Sequence, residues 1–273
     1  MTYFGVLITF IVPPLVILMI IVPRDIWRWL FKREGEVDWL PYIAVLLHVA
    51  IAVIYTTPWD NYLVATNVWW YDPNLVTGVR IWYVPIEEYT FFVLQTLLTG
   101  FWTLFLMRYV FKTPLRIVRN RKTRLWWGSA VVFLWLISTA TLLSGWVPGT
   151  YLTLILSWAL IPVAIQVFYG ADLLLANWRL TVLAFLVPTA YLWIVDSLSI
   201  SSGTWTIDPA QTTGFMLGSL PMEEMLFFLM TNVIIVFGIT LLLSDYTRQL
   251  GRQGLIQWKQ RRRAAAAPGS ISQ

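Results

Sequence analysis

The stretch WYVPIEEYTFF, residues 82–92, sets two adjacent glutamates at the mouth of a long apolar run, and GSLPMEEMLFF, residues 218–228, does so again. Buried carboxylates are costly beside hydrocarbon, so their recurrence asks for a reason. Shifting the chain by 136 positions superposes the two stretches without a gap. Asp60 meets Asp196, Trp69 meets Trp205, and Asp72-Pro73 meets Asp208-Pro209. Thr77-Gly78 meets Thr213-Gly214, Pro85 meets Pro221, Glu87-Glu88 meets Glu223-Glu224, and Phe91-Phe92 meets Phe227-Phe228. Eleven of the thirty-three pairs between 60–92 and 196–228 are identical, and most are polar, aromatic, glycine or proline. Shared membrane hydrophobicity would instead match leucines and valines. The chain reads as an internal duplication.

Composition gives the solvent. Of 273 residues, 58% are hydrophobic and 12% charged, too little charge to cover a soluble surface. Seventeen tryptophans suit a chain that crosses two membrane interfaces. The absence of cysteine excludes disulfides, thiolate nucleophiles and thiolate metal sites, and a single histidine excludes an imidazole cluster; no metal is expected. Apolar runs of spanning length fall near 3–22, 39–57, 86–110, 125–146, 151–170, 180–196 and 222–243. The first has no basic residue ahead of it and no small-residue cleavage site behind it, so it reads as a span.

Of nineteen basic residues, only Arg80 falls among the connections on the side of the glutamate motifs. The remainder flank the opposite side, which predicts an external amino terminus and a cytoplasmic carboxyl terminus. The net charge of +5 is then a property of the cytoplasmic face, not a nucleic-acid footprint. The basic tail, 246–273, reads either as a segment resting on anionic lipid or as one that holds topology. The predicted fold is an all-α integral membrane domain, 1–245, of seven helices. Repeat one covers about 1–111, a linker helix about 125–146, and repeat two about 150–243. Three spans plus one linker is an even number, so the repeats are parallel and both motifs share one face.

Eight of fourteen acidic residues sit in the duplicated motifs: Asp60, Asp72, Glu87, Glu88, Asp196, Asp208, Glu223 and Glu224. If they converge, full ionisation is expensive, and such a cluster can hold and donate protons. The plainer reading is helix capping, since proline followed by acids suits a first turn. Capping, however, requires neither the second glutamate nor the aspartates. In helices starting near Pro85 and Pro221, Phe91, Phe92, Phe227 and Phe228 each lie four residues beyond a glutamate. Rings beside an acid suit a carbocation, because π faces stabilise cationic charge without capturing it; the same rings also suit simple packing. Trp69, Trp70, Tyr71 and Trp205 either add rings or anchor the interface. Asp72 and Asp208 either organise turns or take part in chemistry. His48, which has no counterpart, is expected to pack.

PIEEYTFF and PMEEMLFF, each after an Asp-Pro in a seven-span duplicated chain, resemble the membrane lycopene cyclase domain family over roughly residues 1–245. Both halves lie on one polypeptide, as in a fused form of the heterodimeric bacterial enzymes. The resemblance implies a lycopene β-cyclase in a bacterial or archaeal plasma membrane, with Glu87, Glu88, Glu223 and Glu224 as the acid/base set. It implies lycopene or a related linear carotenoid as substrate, taken from lipid. No GxGxxG fingerprint follows a strand, so no flavin or other cofactor is expected. Two other classes stay open: a small-solute transporter, which also uses parallel three-helix repeats, and a non-catalytic carotenoid-binding protein. A retinal receptor is excluded, because no span carries a lysine for a Schiff base. Oligomeric state is not legible.

Overall fold

The computed structural model describes residues 1–32, 35–247, 249 and 258, so most of the predicted basic tail lies outside the described residues. Among the described residues, seven helices are long and apolar enough to cross a membrane: α1 (Tyr3–Ile21), α3 (Leu40–Ala65), α4 (Ile86–Phe111), α5 (Arg121–Leu143), α6 (Thr150–Ala176), α7 (Trp178–Ser201) and α8 (Met222–Leu243). A short amphipathic helix, α2 (Arg24–Lys32), joins α1 to α3. The chain is a mostly helical, multi-pass membrane protein.

Three helices outrun their expected spans. α3 continues past residue 57 to Ala65, α6 past 170 to Ala176, and α7 past 196 to Ser201. Polar residues end the apolar runs without ending the helices, because hydroxyls fold back onto carbonyls one turn earlier. Thr57 Oγ1 donates to the Val53 carbonyl at 2.6 Å, and Ser199 Oγ to the Val195 carbonyl at 2.9 Å. Asp60 and Asp196 therefore ride on helical turns, each 1% exposed.

Six short strands crown one end of the bundle. β1 (Trp69–Tyr71) follows α3, and the hairpin β2 (Arg80–Ile81) and β3 (Val84–Pro85) leads into α4. β4 (Trp205–Ile207) follows α7, and the hairpin β5 (Met216–Leu217) and β6 (Leu220–Pro221) leads into α8. β1 and β4 pair antiparallel, with Trp69 opposite Ile207, Trp70 opposite Thr206 and Tyr71 opposite Trp205. Under the 136-residue shift this register maps onto itself, with Trp70 and Thr206 at its centre.

Proline explains a second reciprocal tie. A proline at position i removes the amide that would bond the carbonyl at i−4. Pro14 and Pro162 thereby free the carbonyls of Phe10 and Trp158. Tyr191 on α7 donates to Phe10 at 2.6 Å, and Tyr55 on α3 donates to Trp158 at 2.9 Å. Each bond crosses from one half to the other.

α4 and α8 are the two most buried of the seven helices. Where they cross, Gln95 Nε2 donates to Thr231 Oγ1 at 2.8 Å and Thr99 Oγ1 to Asn232 Oδ1 at 2.6 Å; Asn232 Nδ2 donates in turn to Thr189 Oγ1 at 2.9 Å. Phe91 and Phe228 meet edge to face with centroids 6.0 Å apart. Interhelical hydrogen bonds in membranes average about 0.6 kcal/mol each. The five named here fix register more than they supply stability. α5 packs chiefly on α6 and is the least buried span.

Candidate active site

Pro85 and Pro221 are extended residues at the helix caps, with φ/ψ of −70/152° and −64/147°, so α4 and α8 begin at the next residue. The glutamates then occupy the second and third helical positions, about 100° apart around the axis. That rotation sends the two members of each pair in different directions. Glu87 Oε1 accepts from the Thr77 amide at 2.6 Å, and Glu223 Oε1 from the Thr213 amide and hydroxyl, both at 2.7 Å. The first glutamate of each pair thus latches the loop before its own hairpin. Gly78 and Gly214, at φ +81° and +79°, let that loop turn.

The second glutamates face the partner half. Glu88 and Glu224 line a cavity of about 40 Å³ together with Phe91, Phe227, Phe228, Trp69, Trp205 and Asp196. Tyr3 and Tyr71 both donate to Glu88 Oε2, at 2.6 and 2.9 Å, while Tyr151 donates to Glu224 Oε1 at 2.6 Å. Burial, followed by the negative charge of Glu88, raises the Tyr71 phenol well above its ordinary range, so it remains a donor at neutral pH. Asp196 Oδ1 accepts from Trp205 Nε1 at 2.9 Å, its Oδ2 has no hydrogen-bond partner, and its carboxyl stands beside that of Glu224. Asp60 interacts electrostatically with Glu88 and Glu224, yet neither of its oxygens has a hydrogen-bond partner. The Trp69 indole N–H, counterpart of the one on Trp205, is likewise unpartnered. Among the described residues, no lysine, arginine or histidine lines the cavity.

The remaining candidates lie elsewhere. Asp72 accepts from the Asn74 amide at 2.8 Å and Asp208 from the Ala210 amide at 3.0 Å, both in tight turns. Phe92 lines a second cavity, behind the first, alongside His48. The His48 ring meets the Ala44 carbonyl through Nδ1 at 2.7 Å and fills the space left by Gly238.

Sequence reasoning missed Tyr3, Tyr151, Trp59 and Trp158. Trp59 stacks on Phe227, with centroids 5.7 Å apart and planes 9° from parallel, and on Trp158 at 4.5 Å. The signal for the tyrosines was present as Thr2-Tyr3 and Thr150-Tyr151, but at an offset of 148, which a gapless shift of 136 passes over. The result is an aromatic chamber lined by three buried carboxyls, with a fourth, Asp60, buried and interacting with two of them, a set that can give and take protons out of contact with bulk water.

A family model described as lycopene cyclase matches residues 1–107 and 148–242. The lycopene beta-cyclase of Halobacterium salinarum is 38% identical over 234 residues, covering 84% of this chain and 90% of that protein. The bifunctional lycopene cyclase/phytoene synthase of Podospora anserina is 39% identical over 200 residues, 70% of this chain and 33% of that one. The corresponding protein of Colletotrichum graminicola is 38% identical over 209 residues, 73% and 35%. The chain thus spans about a third of the length of the fungal relatives and most of the archaeal one. No solved structure matches.

Proposed function

This chain belongs to the lycopene cyclase family, and on that premise we propose that it closes the ends of lycopene, a linear polyene dissolved in the membrane, into β-ionone rings. The observation that carries this reading is the convergence of Glu88, Glu224 and Asp196 on an aromatic chamber, with buried Asp60 interacting electrostatically with both glutamates and, among the described residues, no basic residue in the lining.

Two carboxyls side by side in a buried site favour a proton between them, and in this reading the Glu224–Asp196 pair is the acid. Glu88 accepts two phenol hydrogen bonds on one oxygen, against one on Glu224; those bonds favour its carboxylate form relative to that of Glu224, and on that difference we assign it as the base. Glu224 gives its proton to C2 of the terminal double bond, leaving a cation at C1. The C5–C6 π pair then forms the C1–C6 bond and moves the cation to C5. Glu88 removes the C6 proton, and the electrons of that C–H bond restore the C5–C6 double bond. Nothing is oxidised or reduced. The proton gained by Glu88 returns to Glu224 through the carboxyl cluster, with Asp60 as the group coupled to both. Phe91, Phe227, Phe228, Trp69 and Trp205 line the path of the cation and offer π faces that cannot capture it. Glu87 and Glu223 position the chamber by holding its loops.

In this reading the molecule is two parallel three-helix repeats, α1–α3–α4 and α6–α7–α8, joined by α5 around a local two-fold axis. The self-mapping register of β1 and β4 supports that axis. The distribution of basic residues supports a hairpin end facing outward and a carboxyl terminus in the cytoplasm of a bacterial or archaeal cell.

The test is expression in lycopene-accumulating cells with chromatography of the pigments. The parent chain is expected to yield cyclic carotenes. Glu88→Gln and Glu224→Gln, at equal membrane levels, are expected to lower the yield by about 100-fold or more, the range of general acid–base catalysis. Parental yields from both variants would refute the assignment.

A further inference from the structure

We propose that the second cavity, enclosed by α3, α4, α6 and α8, is the berth of the polyene arm, and that the arm enters from lipid between α3 and α6. The proposal rests on the cyclase reading and adds to it a route and a binding site.

The cavity holds about 250 Å³ and is walled by Ile51, Ala52, Tyr55, Phe92, Trp158 and Phe227, among others. Its polar residues are largely turned to one another or to the backbone. Gln95 donates to Thr231, whose hydroxyl also meets the Phe227 carbonyl at 3.0 Å, and the His48 ring meets Ala44. What faces the space is therefore chiefly aliphatic and aromatic, a lining that suits a conjugated hydrocarbon. Close packing does not leave such a volume in a helix core without cost.

Two continuities name the occupant. Inward, Phe227 lines both this cavity and the carboxyl chamber, so a single ring separates them. Outward, Ile51, Tyr55 and Trp158 also line a groove of about 530 Å³ beside Ile54, which is 73% exposed on the lipid-facing side of α3. Along α8 the berth runs from Phe227 to Ile235, on the order of 12 Å at the helical rise. Groove, berth and chamber thus adjoin in series through shared lining residues. A reactive end would lie at the carboxyls with its unreacted chain trailing back along the berth. The flat stack of Tyr55 and Trp158, with centroids 5.5 Å apart and planes 21° from parallel, lies where the chain would enter.

Blocking the berth tests the proposal. Ala52→Phe and Ile51→Trp fill it without touching the chamber. Val187→Trp adds the same bulk at the position 136 residues after Ile51, on lipid-exposed α7. With membrane levels and melting temperatures matched to the parent, the blocking variants are expected to lose tenfold or more of the cyclic product, and Val187→Trp to stay within twofold. Blocking variants that cyclise like the parent would overturn the berth. Should the parent make no cyclic product, the cyclase reading fails separately, and pigment retention decides the berth. Lycopene kept through purification by parent and control but lost from the blocking variants sustains it, whereas equal retention, or acyl chains alone in the purified parent, overturns it.

A measurement free of the folding risk uses the absence of cysteine. In a Glu224→Gln background, Ile54→Cys, in the groove and outside the berth lining, and Val187→Cys each accept a single nitroxide label. Added lycopene should immobilise the label at 54 and leave the label at 187 unchanged; equal responses would overturn the route.

Discussion

In the first half of the chamber Tyr3 and Tyr71 both donate to Glu88; in the second, Tyr151 alone donates to Glu224, because Ile207 stands where the 136-residue shift places Tyr71. The aspartates divide the other way. Asp196 takes the Trp205 indole N–H, whereas Asp60 takes no hydrogen bond and the indole of Trp69 finds no partner. One half therefore puts two phenols on its glutamate and leaves both oxygens of its aspartate bare. The other half puts one phenol on its glutamate and an indole on one oxygen of its aspartate, which stands beside that glutamate. The 136-residue shift sets two like glutamates in unlike surroundings, and those few unmatched neighbours are the basis of the different roles proposed for them.

The tyrosines offer the largest way to break that difference short of removing the glutamates. Tyr151→Phe removes the phenol on Glu224. A hydrogen bond to a charged group is worth about 1.5–3 kcal/mol, or roughly 10- to 100-fold in rate if it acts in the transition state. Tyr3→Phe and Tyr71→Phe each leave Glu88 with a second donor, so about threefold is expected of either alone, and a loss like that of Tyr151→Phe only when they are combined. Initial rates of carotene formation in membranes distinguish these outcomes. Equal single-variant losses at Tyr3 and Tyr151 would show that the two glutamates are held alike and that the halves have not diverged.

The latching glutamates test the part of the site that has stayed alike. Glu87→Gln and Glu223→Gln keep a carbonyl oxygen for the Thr77 and Thr213 amides but lose the charge that strengthens the bond. Both variants are expected to retain cyclisation within about tenfold of the parent and to melt a few degrees lower, Glu223→Gln somewhat more than Glu87→Gln because Glu223 also accepts from the Thr213 hydroxyl. A loss as deep as that of Glu88→Gln in either would move that residue from holding the loop to handling the proton.

Much of this was legible in the sequence, and the rest was hidden for identifiable reasons. The spacing from Asp60 to Phe92 recurs from Asp196 to Phe228 without a gap, so the hairpins, glutamates and rings could be aligned before any fold was known. The first helices could not. α1 and α3 are joined through α2, whereas α6 and α7 are separated by Asn177 alone, and this shortening of twelve residues moves Tyr151 to an offset of 148. Nor could spacing reveal which glutamate of a pair enters the chamber, since that depends on where the helix begins and how it is rotated. Trp59 and Trp158 come from different halves and have no identical counterparts at 195 and 10, so no repeat pointed to them.

At the opposite end of the bundle the halves share almost nothing, and the effect expected there is the smallest. Asp25 Oδ1 accepts from Arg108 Nη1 at 2.7 Å and from the Tyr42 hydroxyl at 2.6 Å, tying α2 to α4 and α3. In the second half Asp172 is held instead by Arg124 of the linker helix, at 2.7 Å. Both arginines fall in the stretch that the family model leaves unmatched, 108–147. Burial alone would raise the Asp25 carboxyl, but hydrogen bonds from Tyr42 and Arg108 and the charge of Arg108 outweigh it and hold it below its ordinary range. A carboxyl depressed on folding stabilises above its unfolded value, about 3.9, and the contribution is lost as pH falls through the lower folded value. Asp25→Asn should therefore melt slightly below the parent at pH 6–8, by less than about 1 kcal/mol for so exposed a pair, with the gap closing in acid below about pH 4. Cyclisation should be unchanged, because the tie lies at the end of the bundle remote from the carboxyl chamber. A clear loss of product would mean that the two ends are coupled through α4, the helix that carries Glu88 at one end and Arg108 at the other.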